Sequence, residues 1–299
     1  MKPQTLDGYQ AGFTGDCERM LVTLLRGLGP WKDSIVLVGG LTPRYLVKAR
    51  PPDVPEHAGT QDVDVVVALQ VLADVEAYHT LEDNLKKLGF VRGTNAQTKP
   101  INWRWEVRAG HALLRLEFLA DMPDMKRVEP LPTDGNLSAL NVPHSSIVFD
   151  HHLEVEITAE SLGGNGVITE KIRYADLVAF TTLKAFAFAQ RWERKDAHDL
   201  VYCIEHCQSK EEAVQGFRRA LGGKHAAAVN EALRLLRQHF LDDERTAGHL
   251  KDGPVAVAKF ELGELDQDAE ARALRQREAS FAVEALLRDL LGERGAWSR

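Results

Sequence analysis

The spacing of apolar residues changes character once along this chain, near residue 170, and that change limits the folds open to it. Before it, short apolar runs rich in β-branched residues alternate with stretches of helical spacing; from Tyr174 onward nearly every stretch has helical spacing. The expectation is therefore an α/β (α+β) core with a mixed sheet over residues 1–170, then a helical region over residues 171–299. Met20, Leu21, Leu24, Leu25 and Leu28 mark an amphipathic helix over 16–28. Residues 34–38 read as a buried strand closing at Gly39-Gly40, and 42–48 as a helix start with Pro43 in its first turn. The three prolines of 49–59 mark a loop, and the D-V-D-V-V-V-A run of 62–68 a second strand. A helix over 75–88 closes at Gly89, and strands over 103–107 and 113–119 pair about an Ala109-Gly110 turn. A proline-rich connection follows over 121–143, then strand-like runs at 147–149, 153–157 and 167–169, and a last helix over 268–291.

Composition excludes several classes. With 37 basic and 44 acidic residues among 299, the net charge is 37 − 44 = −7, so any polyanion must be met by a local patch. Three cysteines do not build a disulfide framework. The first 15 residues lack a signal-peptide apolar core, and no apolar run is long enough to cross a bilayer. The expectation is a soluble, cytoplasmic globular protein with no membrane partner.

Asp62 and Asp64 carry the first chemical signal. Residues two apart on a strand share a face, so both carboxylates project together while Val63 and Val65 pack behind them. Such a pair repels unless a cation lies between, and Mg²⁺ is commonly bound by one or two carboxylates plus substrate phosphates. Solvated acids on an edge strand are the bland alternative. Upstream, Val36-Leu37-Val38-Gly39-Gly40 runs into a helix start, where backbone N–H groups can approach a phosphate; an ordinary tight turn is the alternative. Glu117 lies among Leu116 and Phe118 and should be paired, metal-bound or at a site edge. Two acids on one strand and a third on a neighbour form the ligand set of two-metal phosphoryl transfer, with Asp121 second choice for the third place.

Lys184 is the one charge in the apolar helix of residues 177–190. It must snorkel outward or meet an anion. Arg191 and Lys195 follow seven and eleven residues on, near the same face, and Asp196 and Asp199 come next. These cations either face nucleotide phosphates, or Lys184 fastens two helices through a salt bridge to Asp196 or Asp199.

Gly39-Gly40 followed by Thr60-x-Asp62-x-Asp64 resembles the signature of the nucleotidyltransferase superfamily with the polymerase-beta-type minimal core. Residues 173–177, Lys184, Arg191 and Lys195-Asp196-x-x-Asp199-Leu200 resemble the C-terminal signature of AbiEii-type nucleotidyltransferases, typically toxins of toxin–antitoxin and phage-defence systems. The resemblance spans about residues 34–205. It implies that Gly39, Gly40 and Thr60 meet the nucleotide, that Asp62, Asp64 and Glu117 hold Mg²⁺, and that Lys184 and Arg191 neutralise phosphate. Asp196 would orient Lys184 or wall the site. The implied reaction passes a nucleoside monophosphate from an NTP to an acceptor hydroxyl, on a tRNA 3′ end or a protein, and a cognate antitoxin would be a partner. Two other functions compete. One is a non-catalytic nucleotide- or protein-binding module of the same fold, suggested by the proline-rich insert between Gly40 and Asp62. The other is a metal-dependent glycosyltransferase, which also uses D-x-D.

Four further features read as structural. Cys203 and Cys207 near His198 and His206 read as packed thiols rather than a zinc site. His151-His152 reads as a solvated pair, Trp103 and Trp105 as half-buried strand aromatics rather than a base-stacking surface, and the mixed charges of the last helix as a solvated face.

Overall fold

A sheet built of short β-branched runs needs a covered face, and this chain's first long helix covers one. The computed structural model describes residues 3–9, 12–69, 75–109, 112–132, 137–164 and 166–291. Contacts divide the chain into two units. A sheet unit comprises Gln10–Tyr45 and Gly59–Asp176, and a helical unit comprises Met1–Tyr9, Leu46–Ala58 and Leu177–Arg299. The division therefore falls after residue 176 rather than 170, because the last strand runs to Ala175, and two early segments group with the helices.

Nine strands form one mixed sheet among the described residues: β1 (Ile35–Val38), β2 (Asp62–Val67), β3 (Val91–Thr94), β4 (Pro100–Ala109), β5 (Ala112–Ala120), β6 (Glu129–Pro130), β7 (Leu140–Asn141), β8 (His152–Glu160) and β9 (Val167–Ala175). The main order is β3-β4-β5-β2-β1-β9-β8, with β7 beside β5 and β6 beside β7. β2 pairs with β5 in parallel and with β1 antiparallel; β1 meets β9 in parallel. β5 alternates strictly, with Leu114, Leu116 and Phe118 fully buried and Arg115 and Glu117 half-buried on the other face. Helix α1 (Gly12–Leu28) buries Met20, Leu21, Leu24, Leu25 and Leu28 and packs on β2, β5, β8 and β9. A short helix α2 (Pro43–Leu46) follows β1, and α3 (Val75–Lys87) packs on α1.

Three expectations need correction. Residues 147–149 are not a strand: Ser145–Phe149 is a 3₁₀ turn, because Asp121 accepts both the Ser146 N–H (3.2 Å) and its hydroxyl (2.5 Å). The helix after Gly39-Gly40 is only four residues long. β8 and β9 are nine residues each and pair along their whole length, longer than their apolar runs suggest, because Glu154, Lys171 and Arg173 extend the ladder with cross-strand ion pairs. Of the expected Ala109-Gly110 turn, Ala109 ends β4 and pairs with Ala112, while Gly110 lies outside the described residues.

The helical unit holds α4 (Leu177–Arg191), α5 (Arg194–Glu205), α6 (Lys210–Leu221), α7 (Ala226–Phe240), α8 (Asp252–Leu262) and α9 (Ala269–Leu291). α4 is buried on nearly every face, including Phe180, Thr181, Thr182, Lys184 and Phe188, and packs on α5, α6 and α7. Ser209 caps α6 by accepting the Glu212 N–H at 3.2 Å. No helix among the described residues is long and apolar enough to cross a membrane.

Candidate functional site

The face of the sheet opposite the α1-covered core carries the charged residues. In the parallel β2–β5 pair, Asp62 lies beside Arg115 and Asp64 beside Glu117. Directly paired residues share a face, so Asp62, Asp64 and Glu117 project together. The antiparallel β4–β5 register adds Arg104 beside Glu117 and Glu106 beside Arg115. Asp62, Asp64, Glu106 and Glu117 thus cluster with Arg104 and Arg115, and Arg108, two residues further along β4, shares their face. Arg104 Nε donates to Glu117 Oε1 at 2.7 Å, and its guanidinium lies over the Trp103 ring at 4.7 Å. Arg115 stands between Asp62 (3.6 Å) and Glu106 (3.5 Å).

The glycine corner is shaped around one of these acids. Gly39 has φ +73°, and a Cβ there would overlap the Asp64 carboxylate. The glycine is needed twice over, for the left-handed backbone and for the side chain that fills the missing Cβ's space. Gly40 lies in the 3₁₀ turn Gly39–Leu41. The four-residue α2 that follows gives little dipole, so anion binding there would fall to single backbone N–H groups. Arg44 and Tyr45 anchor α2 to α1, both donating to Glu18, Arg44 Nε at 2.6 Å and the Tyr45 hydroxyl at 2.9 Å. Thr60 is buried; its hydroxyl accepts the Asp62 N–H at 3.1 Å and so braces the start of β2. Cys17 Sγ donates to the Thr60 carbonyl at 3.3 Å. Burial, then the charges of Asp62, Asp16 and Asp64, push this thiol's pKa up. Asp121 is taken by the Ser146 turn.

Hard carboxylate oxygens suit Mg²⁺, but these three side chains are not gathered around one point: among the described residues the group of three potential metal donors lying within 4.8 Å of one another is His57, His198 and Asp199. Because Glu117 accepts from Arg104, holding an ion among the three acids requires Glu117 to exchange that guanidinium for it.

Lys184, Arg191 and Asp196 belong to the helical unit. Lys184 is buried, and its ammonium donates to Asp196 Oδ1 (2.8 Å) and Asp199 Oδ2 (2.7 Å). The helix-fastening alternative thus has both its partners in place. Arg191 makes two bonds to Asp196, at 2.6 and 2.8 Å. Lys195 Nζ donates to Asp199 at 2.7 and 3.0 Å, and His57 Nε2 lies 2.9 Å from Asp199 Oδ1. Burial works against the charge on Lys184, but Asp196 and Asp199 outweigh it and its pKa rises. Burial likewise works against the Asp196 carboxylate, but Lys184 and Arg191 prevail and hold it at about 2. Burial lowers His57 to about 4, so the ring is neutral at neutral pH.

His57, His198 and Asp199 are the described group of three potential metal donors that all lie within 4.8 Å of one another. Two ammonium groups already sit on Asp199, so this set disfavours a further cation and acts as an ion-pair hub.

Sequence reasoning passed over Arg115, Glu106 and His57. The first two alternate with buried neighbours, a period-two signal present in the sequence, but their link to Asp62 needs the strand register. His57 sits in a loop, where no periodicity marks a partner 142 residues away. Cys203 is buried and Cys207 Sγ donates to the Ile204 carbonyl at 3.4 Å, as packed thiols do. Trp105 is fully buried in the sheet core. No protein-family model matches this chain, and no curated protein sequence matches it.

Proposed function

We propose that this chain is a Mg²⁺-dependent nucleotidyltransferase whose metal-binding face is the Asp62, Asp64 and Glu117 surface of the sheet unit. One observation carries the reading: the β2–β5 register sets Asp64 beside Glu117 and Asp62 on the same face, next to a glycine corner shaped to Asp64. When bound, the ion supplies charge neutralisation on the triphosphate. Asp62 and Asp64 hold it, and the Gly39-Gly40 turn offers backbone N–H groups to phosphate oxygens. Glu117 completes the site or takes the proton of the acceptor hydroxyl. That oxygen bonds to the α-phosphorus as the bond to pyrophosphate breaks, and catalysis comes from positioning and electrostatics. The resemblance noted in the sequence supports the finer points only: a tRNA 3′ end or a protein as acceptor, a toxin role with a cognate antitoxin, and phosphate contacts for Lys184 and Arg191.

The test is incubation of the full chain with each labelled NTP, Mg²⁺, and total RNA or cell protein. Transfer lost in an Asp62→Ala, Asp64→Ala double variant is the expected result; transfer that persists removes this face from the chemistry. A non-catalytic binding module is the second reading. The pairing of Arg104 with Glu117 and of Arg115 with Asp62 favours it, since guanidinium groups stand where a cation would. NTP binding by calorimetry without turnover on any acceptor would select it.

A further inference from the structure

The helical unit contains a cavity of about 670 Å³, within the range of about 300–1,000 Å³ usual for small-molecule sites. Residues of α4, α5, α6, α8 and α9 line it, with Leu6, Pro55 and Glu56 from the two early segments of that unit. Its walls are largely apolar, among them Leu177, Ile204, Val214 and Leu286. Ala213, Ala282 and Ala285 also line it, and their small side chains leave the space open. Phe281 and Leu262 are both part of the lining and 59% and 38% exposed, which places them at the rim. Two large apolar side chains are thus left in water at the mouth of an apolar hollow, and apolar walls hold water poorly.

Charge decides the class of occupant. Arg275 bonds Glu205 at 2.7 and 2.9 Å and Glu261 at 2.6 and 3.1 Å, and Glu261 also meets His198 Nδ1 at 2.9 Å. These wall charges satisfy one another. Glu56 and Lys210 are exposed, where water and salt screen them. The lining carries five acids: Glu56, Glu205, Glu261, Glu278 and Asp289. Five bases answer them. Lys210 and Arg275 belong to the lining, Arg277 precedes Glu278, Arg288 lies over the Phe281 ring at 5.9 Å, and Arg218 donates to the Asp289 carbonyl at 2.9 Å. The balance leaves no net field to draw in an anion or a cation. A charged group entering the hollow would lose its water with no excess counter-charge to replace it. An uncharged apolar molecule loses little hydration and covers apolar wall.

We infer that this cavity is a binding site for an uncharged, largely apolar small molecule. The inference is independent of the proposed transfer reaction. Nile red, an uncharged dye that brightens in apolar surroundings, tests it on the full chain. The dye should bind saturably with one molecule per chain. Decanol should displace it at concentrations at least about tenfold lower than decanoate or decylammonium at neutral pH, three competitors that share a chain and differ in charge. Ala282→Trp and Ala285→Trp, which fill the hollow, should each weaken dye binding about tenfold or more. Leu250→Ala, at a 60% exposed leucine that does not line the cavity, should leave it unchanged. Circular dichroism checks that each variant is folded, and the competitor series needs no variant. Absence of saturable binding, a charged competitor as effective as decanol, or binding indifferent to both tryptophan variants overturns the inference. So does a dimer of the free chain that Phe281→Asp converts to monomer, which would give the rim to a second copy.

Discussion

Gly39 and Asp64 are fitted to each other: the Asp64 carboxylate occupies the space a Cβ at position 39 would need, and Gly39 takes φ +73° at the end of β1. Gly39→Ala should therefore cost stability through two separable effects, left-handed strain of about 1 kcal/mol and displacement of the carboxylate. Adding Asp64→Ala removes the second effect, so the double variant should be more stable than the sum of the single changes predicts. Urea unfolding of the four proteins measures the coupling. Strict additivity would show that the two side chains do not share this space.

Arg104 and Glu117 make the second prediction. The guanidinium, 2.7 Å from Glu117, competes with any cation for the carboxylate. Arg104→Gln should tighten Mn²⁺ binding to the wild-type acids by roughly threefold to tenfold, the effect of removing one charge-assisted bond. Asp64→Asn should abolish that binding. Calorimetry with Mn²⁺ alone reads both, and unchanged affinity in Arg104→Gln would mean that the ion, if it binds, does not use Glu117.

The alternation that exposed this face was present in the sequence, strand by strand. Asp62 and Asp64 announce a common face, and Glu117 stands out between Leu116 and Phe118. What the sequence withheld was register. Whether Glu117 falls beside Asp64 or on the far side of the sheet depends on a one-residue slip, and only the long-range β2–β5 pairing resolves it. The same holds for Arg104 and Arg115, whose partners lie on other strands. Residues 147–149 misled because an apolar triplet has no period of its own, and the Asp121 contacts that bend it into a 3₁₀ turn come from 25 residues upstream. The helical region was legible as such, though it begins at Leu177 and not at Tyr174, which belongs to β9; His57 and Asp199 meet through a proline-rich loop that carries no pattern.

Lys184 separates a structural from a catalytic role. Its ammonium is buried between two carboxylates, so Lys184→Met leaves Asp196 and Asp199 short of a cation and should destabilise the chain by about 3–5 kcal/mol. Thermal and urea unfolding read this directly. A change under 1 kcal/mol would mean that Lys195 and Arg191 suffice to hold the two acids, leaving Lys184 free for another duty.

The hub formed by His57, Asp199 and Asp196 should also set the response to acid. Burial lowers His57 from an ordinary value near 6.5 to about 4, so the unfolded chain takes up a proton that the folded chain refuses. Stability is then full above pH 6.5 and falls as the pH drops from 6.5 toward 4. Asp196 is held at about 2 against an ordinary 3.8, chiefly by Lys184 and Arg191 once burial is overcome, so its contribution is present above 3.8 and is lost as the pH falls toward 2. A shift of that size corresponds to about 2 kcal/mol. The expected curve of unfolding free energy against pH has two descending segments with these windows. His57→Gln, which keeps a hydrogen-bonding side chain but cannot titrate, should flatten the upper segment and leave the lower one. An upper segment that survives His57→Gln unchanged would assign the loss to another group.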